Sequence, residues 1–318
     1  GEREKHRLQT VKMVHPSARP PVRPTGGTLL TERDLRVQIA ADAKRVAELA
    51  LGEDGAADIT TAVCVGSSRD ATAILEYQSG GMLAGLPYAD AVAEACTLPP
   101  VTWYHPAGSA IAAGTTIGAI MGDLAQILRA ERPLLNLLQR ACGVATETQA
   151  YVTAVRGTRA RILHTRKTAP GLRLLDVAAV LTGEGQVHRL DLGTSVMIKD
   201  NHWRALAQGG KSLAAALREA RARGVSDCFV EVESPTQVAE ACEAGATRLL
   251  IDNQTPDTVV AWTAEARRRR PDIRIEATGG INLNNVRAFA DAGADYISIG
   301  ALTHSVKAAD ISLEVMSD

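Results

Sequence analysis

No stretch of the 318-residue sequence reaches about 18 uncharged apolar residues, so no segment reads as a membrane-spanning helix. The N-terminus has no apolar core of the kind a secretory signal needs, and a cytoplasmic location is expected. Net charge is nearly absent: 35 basic residues offset 36 acidic ones to leave −1. A chain so balanced has no general attraction for nucleic acid or an anionic membrane, and any anion binding must be local. The five cysteines (Cys64, Cys96, Cys142, Cys228 and Cys242) form no CxxC pair, and no His/Cys cluster offers a zinc site. An odd, scattered set suits reduced core thiols better than disulfides. No GxGxxG follows an early strand, which argues against a dinucleotide-binding sheet.

What is present is a 46% hydrophobic chain, enough for one large domain or two medium ones. Residues 1–27, with four prolines and a terminal Gly26-Gly27, read as a flexible leader. Thr31 with Asp34 looks like a helix N-cap, and Leu35, Ile39, Val46 and Leu49 recur at helical spacing, predicting a helix over 31–51. From about 70 to 122, ATAILEY, VTWYH and TTIGAIMG read as short strands between Gly, Pro and Ser turns, a small α+β unit. A long helical stretch from Leu124 to Val155, interrupted at Gly143, leads out of it.

Beyond residue 159 strands and helices alternate. ARILHT, SVMIKDN, CFVEVE, RLLIDN, RIEATGG and YISIGAL are the strands; KSLAAALREARAR, PTQVAEACEAG, PDTVVAWTAEARRRR and LNNVRAFADAG are amphipathic helices. That rhythm predicts a parallel sheet covered by helices, with the spacing of a barrel's βα units. Charge gathers where these strands end: His164, Arg166 and Lys167; Lys199 and Asp200; Glu231 and Glu233; Asp252. In a parallel barrel those ends share one mouth, where charge reads as catalytic.

Arg166, Lys167, His188, Arg189 and Lys199 point to an acidic substrate, because guanidinium forks bind carboxylate or phosphate and lysine acts as a point charge. The bland alternative for any one of them is a structural ion pair or a solvated charge. Glu231 and Asp252, as hard oxygen donors, suit Mg²⁺ shared with water and substrate phosphate, or simply balance the cations. Thr278-Gly279-Gly280 and Gly300 close successive strands, as in barrel phosphate sites, although glycine is common in such turns.

The strings HTRKTAPGLR, HRLDLGTSVMIKDNH, VEVES, LLIDN, ATGGI and SIGALTHS, in that order, resemble the quinolinate phosphoribosyltransferase family, also called nicotinate-nucleotide pyrophosphorylase. GEDGAADIT, MLAGLP and ERPLLNLLQR extend the resemblance to roughly residues 30–310. It implies an incomplete α/β (TIM-like) barrel with a mixed α+β N-terminal domain. The corresponding division is 28–141 for the N-terminal domain, 142–301 for the barrel and 302–318 for a segment returning to the first domain.

The resemblance also implies a pentosyltransferase that joins quinolinate to phosphoribosyl pyrophosphate with Mg²⁺, giving nicotinate mononucleotide, pyrophosphate and CO₂. A homodimer with shared active sites is implied too. On the matching motifs, Thr165, Arg166, His188 and Arg189 would hold the pyridine acid, with Arg132 supplied by the other subunit. Lys199 would lie between the two substrates. Lys167, Glu231, Asp252, Thr278, Gly279, Gly280, Gly300 and His304 would face the sugar phosphate and its metal.

Two positions depart from the family's GGGxNHR: Glu184 replaces a glycine and Val187 an asparagine, beside His188-Arg189. They leave open a paralogue acting on a different pyridine or planar acid. A Schiff-base barrel lyase using Lys199 is a more distant alternative. A non-catalytic relative would be marked by loss of Arg166, Lys199, Glu231 or Asp252, and all four are present.

Overall fold

The computed structural model describes residues 32–67 and 69–316. The leader and the Thr31 cap lie outside the described residues. Helix α1 (Glu32–Glu53) presents Ala43, Val46, Ala47 and Leu51 to the core, with Ile39 partly buried against it. Leu49, expected in that stripe, is exposed instead. The small Ala43 and Ala47 take the inner face, on which α1 packs against a later helix over Leu86–Ala95.

After α2 (Ile59–Cys64), strand β1 (Asp70–Tyr77) alternates as its sequence requires, with Ala73, Leu75 and Tyr77 fully buried. β2 (Gly81–Met82) leads to α3 (Leu86–Ala95), an alanine-rich helix where strands and turns, but no particular helix, are expected from the sequence. Its high helix propensity and Pro87 in the first turn account for the difference. β3 (Thr102–Trp103), β4 (Ala110–Ile111) and β5 (Thr115–Asp123) follow.

Helix α4 (Leu124–Ala154) begins on Asp123, whose carboxylate accepts from the Gln126 N–H. It runs unbroken through Gly143, correcting the interruption expected there. A Cβ at 143 would overlap the Lys307 carbonyl oxygen, so this glycine marks a close helix contact, not a helix end. α4 also passes without a break through residues 141 and 142, where the sequence suggests one domain gives way to the next.

Six parallel strands then build the barrel wall: β6 (Arg161–Leu163), β7 (Val196–Ile198), β8 (Cys228–Val232), β9 (Arg248–Asp252), β10 (Arg274–Thr278) and β11 (Tyr296–Ser298). Their spatial order is β6-β11-β10-β9-β8-β7, so the first strand sits beside the last and the wall is open between β6 and β7. The chain lines that opening, because Gln186 bridges to Leu163 beside β6.

The outer helices are α5 (Arg173–Thr182), α6 (Asp200–Gln208), α7 (Leu213–Ala222), α8 (Pro235–Ala244), α9 (Pro256–Arg269), α10 (Val286–Asp291) and α11 (Ala301–His304). Ser212, Ser234 and Thr255 cap α7, α8 and α9 with their hydroxyls. The strand expected over 195–201 stops at Ile198, because Lys199 is already the N-cap of α6. Finally β12 (Ile311–Val315) returns to pair antiparallel with β1, completing the N-terminal sheet in the order β12-β1-β5-β3. All five cysteines are free; four are buried and Cys64 is exposed.

Candidate active site

The ends of β6 to β11 carry the charged residues to one mouth, as parallel strands must. Beyond β6, residues 164–171 form a loop fixed from below. Asp176 of α5, fully buried, accepts from Arg140 of α4 through two 2.8 Å bonds and from the Ala169 N–H at 3.2 Å. Burial pushes the Asp176 carboxyl up, opposed by the Arg140 guanidinium beside it. Arg140 also donates to the Thr303 carbonyl at 2.9 Å, and the Thr303 hydroxyl donates to the Lys167 carbonyl at 2.8 Å. The loop is therefore tied to α4, α5 and α11 at once.

Within it, the Thr165 hydroxyl accepts from the Lys167 N–H at 3.1 Å. Arg166 is half-buried with its Nε unpartnered. Arg189 comes in at the opening between β6 and β7, also with a buried, unpartnered Nε. Burial lowers its guanidinium's proton affinity, and the charge of Arg166 lowers it further. Among the described residues, neither arginine has an ion pair within 4 Å. Neighbouring guanidinium groups with spare N–H donors are of the chemistry that binds a compound carrying more than one carboxylate.

His188 is held from within the protein. It is buried, its Nδ1 accepts from the Arg189 N–H at 2.7 Å and its Nε2 meets Glu276 at 3.2 Å, so both ring nitrogens are engaged inside the protein. His164, also fully buried, donates from Nδ1 to the Thr165 carbonyl at 2.9 Å. Burial takes its pKa down to about 4, and nearby His188 and Arg173 add to the shift.

At the ends of β7, β8 and β9, Lys199 Nζ donates to Glu231 at 2.7 Å, and Glu231, Glu233 and Asp252 place carboxylate oxygens within 4.8 Å of one another. Burial and the neighbouring charge of Glu231 raise the Asp252 carboxyl above its ordinary range, with Lys199 and the Asn253 amide opposing. Three hard oxygen donors at that spacing fit Mg²⁺. Gly279 has φ +81°, and a Cβ there would overlap Asn253. Thr278 closes β10 just before it, and Gly280 has φ +63° with open space around it. Around the end of β11, the position of a Gly300 Cβ is 3.0 Å from both the His304 ring and the Lys167 side chain, so these three residues form a group of their own. A side chain at 300 would fill the space where an anion can reach that lysine and histidine.

Arg132 is not brought to this cluster. It is 61% exposed on α4, and it lines a cleft of about 720 Å³ with α2 and the residues preceding it. Of the departures from the family pattern, Glu184 takes a left-handed φ of 68° on the exposed side of its turn, while Val187 is buried. The flanking Gly183 and Gly185 are pressed against α4, where a Cβ would overlap Ala145 or Thr148.

Glu276, Arg248, Arg140, Asp176 and Arg173 carry no role in the sequence reading. The available signal was a glutamate inside RIEATGG and an arginine opening RLLIDN, charges placed where a barrel strand faces its core.

Comparison with known proteins agrees with this fold. Family models described as quinolinate phosphoribosyl transferase, N-terminal and C-terminal domains, match residues 58–142 and 144–314. A probable nicotinate-nucleotide pyrophosphorylase [carboxylating] of Methanothermobacter thermautotrophicus is 34% identical over 276 residues, 85% of this chain and 97% of that protein. The human nicotinate-nucleotide pyrophosphorylase [carboxylating] is 36% identical over 260 residues, 80% and 86% of the two chains. The structure of the nicotinate-nucleotide pyrophosphorylase from Francisella tularensis superposes with a TM-score of 0.80 at 30% identity, covering 87% of this chain and 97% of that one. The chain belongs to the quinolinate phosphoribosyltransferase family.

Proposed function

We propose that the protein is a pentosyltransferase, a carboxylating nicotinate-nucleotide diphosphorylase. It transfers the phosphoribosyl group of phosphoribosyl pyrophosphate to quinolinate, releasing pyrophosphate and CO₂ and forming nicotinate mononucleotide for NAD synthesis. The observation that carries this reading is the pairing of Arg166 with Arg189, each with a buried, unpartnered Nε, on the same mouth as the Lys199, Glu231 and Asp252 group. Quinolinate brings two adjacent carboxylates to the first group, and the phosphorylated sugar is met by the second.

The quinolinate ring nitrogen attacks the sugar carbon as the bond to pyrophosphate breaks. Glu231 and Asp252 stabilise the positive charge that develops on the ribosyl centre, and Lys199 lies between the reactants. Lys167 and His304 bind phosphate oxygens over Gly300, and the Gly279-Gly280 turn leaves room for another. Glu231 and Asp252 would hold Mg²⁺, directly or through water, and the bound ion would supply neutralisation of the leaving pyrophosphate. Arginine contacts that align the ring nitrogen contribute by orientation. The carboxylate next to that nitrogen then leaves as CO₂, its bonding electrons staying on the ring carbon, where the adjacent positive nitrogen stabilises them until a proton from solvent takes the vacated place.

In the same reading the protein works in the cytoplasm as a homodimer, with Arg132 of the partner subunit completing the acid site. No described helix is long and apolar enough to cross a membrane.

A different planar acid is the second reading, favoured by buried Val187 in place of the family's asparagine beside His188. The lyase alternative uses Lys199 and leaves Arg166 and Arg189 without a task. Pyrophosphate release from phosphoribosyl pyrophosphate, measured with quinolinate, nicotinate, other pyridine carboxylates and no acceptor, decides among these. Turnover with quinolinate is the expected result. Release with another acid alone selects the second reading, and no release with any acceptor rejects phosphoribosyl transfer.

A further inference from the structure

Below the mouth lies a buried polar chain that the transfer chemistry does not use. One oxygen of Glu276, Oε2, accepts from Arg248 Nη1 at 2.8 Å and from His188 Nε2 at 3.2 Å. Arg248 is 2% exposed, and its guanidinium is held between the rings of Phe229 and Tyr296 at 4.3 and 4.1 Å. The His188 ring meets Phe229 edge-on at 5.7 Å, and its Nδ1 accepts from the backbone N–H of Arg189 at 2.7 Å. The two partners of the imidazole assign its tautomer: Nδ1 accepts and is bare, so the proton sits on Nε2 and is donated to Glu276.

This matters because the Arg189 side chain is weakly held. Its guanidinium reaches the Ser195 carbonyl only at 3.5 Å, and the like charge of Arg166 pushes against it. The short bond from its backbone to His188 is its firmest anchor near the site.

We propose that Glu276 is a positioning residue for the acceptor acid. By accepting from Nε2 it keeps His188 in the tautomer whose Nδ1 clamps the Arg189 backbone, and so it aims the Arg189 guanidinium beside Arg166. Arg248 neutralises the buried Glu276 carboxylate. The inference rests on the reading of Arg166 and Arg189 as the acid site, and its test separates the two.

Two charge-free double variants of the full-length protein differ only in the hydrogen-bond acceptor: Arg248→Met with Glu276→Gln, the amide variant, and Arg248→Met with Glu276→Met, the thioether variant. Removing both members of a buried ion pair avoids leaving one charge stranded. The amide variant keeps an oxygen for His188 and is expected to hold the quinolinate KM within about threefold of wild type, as an intact neutral hydrogen bond allows. The thioether variant is expected to raise that KM about tenfold, with the KM for phosphoribosyl pyrophosphate unchanged. Nitrogen-15 spectra of the His188 ring should show the Nε2–H tautomer in the wild type and the amide variant, and its loss in the thioether variant. Equal quinolinate KM values in the two variants overturn the proposal. So does an Nδ1–H ring in the wild type, a result that holds even if neither variant folds. If quinolinate is inert with the wild type, the acceptor reading fails separately, and the KM comparison is made with the acid that turns over.

Discussion

Arg140 grips Asp176 through two parallel 2.8 Å hydrogen bonds, one from Nε and one from Nη2, and so joins the long helix α4 to the first helix of the barrel. Asp176 also holds the Ala169 N–H, and Arg140 the Thr303 carbonyl, so this pair secures both ends of the path on which Lys167 is presented. Asp176→Asn removes the countercharge of a half-buried guanidinium and is expected to cost on the order of 3 kcal/mol. A urea unfolding midpoint measures it, and an unchanged midpoint contradicts the latch.

Arg166→Ala and Asp252→Asn should damage different substrates. The first removes a charged donor to the acid and is expected to raise the quinolinate KM by on the order of 10–100-fold. The second removes a carboxylate facing the sugar and its metal, so it should chiefly lower kcat and weaken phosphoribosyl pyrophosphate binding. Steady-state kinetics with each substrate varied in turn tests the division, and matching effects on both substrates reject it.

Stability should fall with acid in a window set by His164. Its folded pKa is about 4 against an ordinary value of 6.5, because burial disfavours the charged ring. Between those values the unfolded chain binds a proton that the folded chain does not, so stability is full above pH 6.5 and drains as pH falls. The loss from pH 7 to pH 5 is on the order of 2 kcal/mol. His164→Asn retains a donor for the Thr165 carbonyl without the titration, and the difference between its urea midpoints at pH 7 and pH 5 should be smaller than that of wild type.

Glu184→Gly should stabilise the protein. A glutamate at φ 68° occupies a region where a Cβ crowds the backbone, and relief at an exposed turn contributes about 1 kcal/mol. Thermal unfolding should show a higher Tm. A lower Tm would mean that the glutamate side chain holds the turn in place.

The barrel and its mouth were largely readable in the sequence, because period and strand-end chemistry are local signals. HTRKT placed Arg166 and Lys167 at the end of β6, and CFVEVE and RLLIDN placed Glu231 and Asp252 on adjacent strands. What was hidden depends on partners far along the chain. That His188 is tied at Nε2 to Glu276, 88 residues away, leaves no local signal in the sequence. Gly143 reads as a helix end until Lys307 is packed against it. α6 was obscured because its first residues, Asp200 and Asn201, continue an apolar strand in sequence and turn helical only after Lys199. Leu49 was misplaced because the inner face of α1 belongs to alanines, which hydrophobic spacing undervalues.

The return of β12 to β1 has a consequence for how the molecule is made. During synthesis the N-terminal sheet is complete except on one side, where ATAILEY offers a bare hydrogen-bonding edge until the whole barrel has emerged. A chain halted after α4 would lack the strand that covers that edge. The last strand works as a seal: the final edge of the first domain's sheet is covered only by residues that follow the barrel.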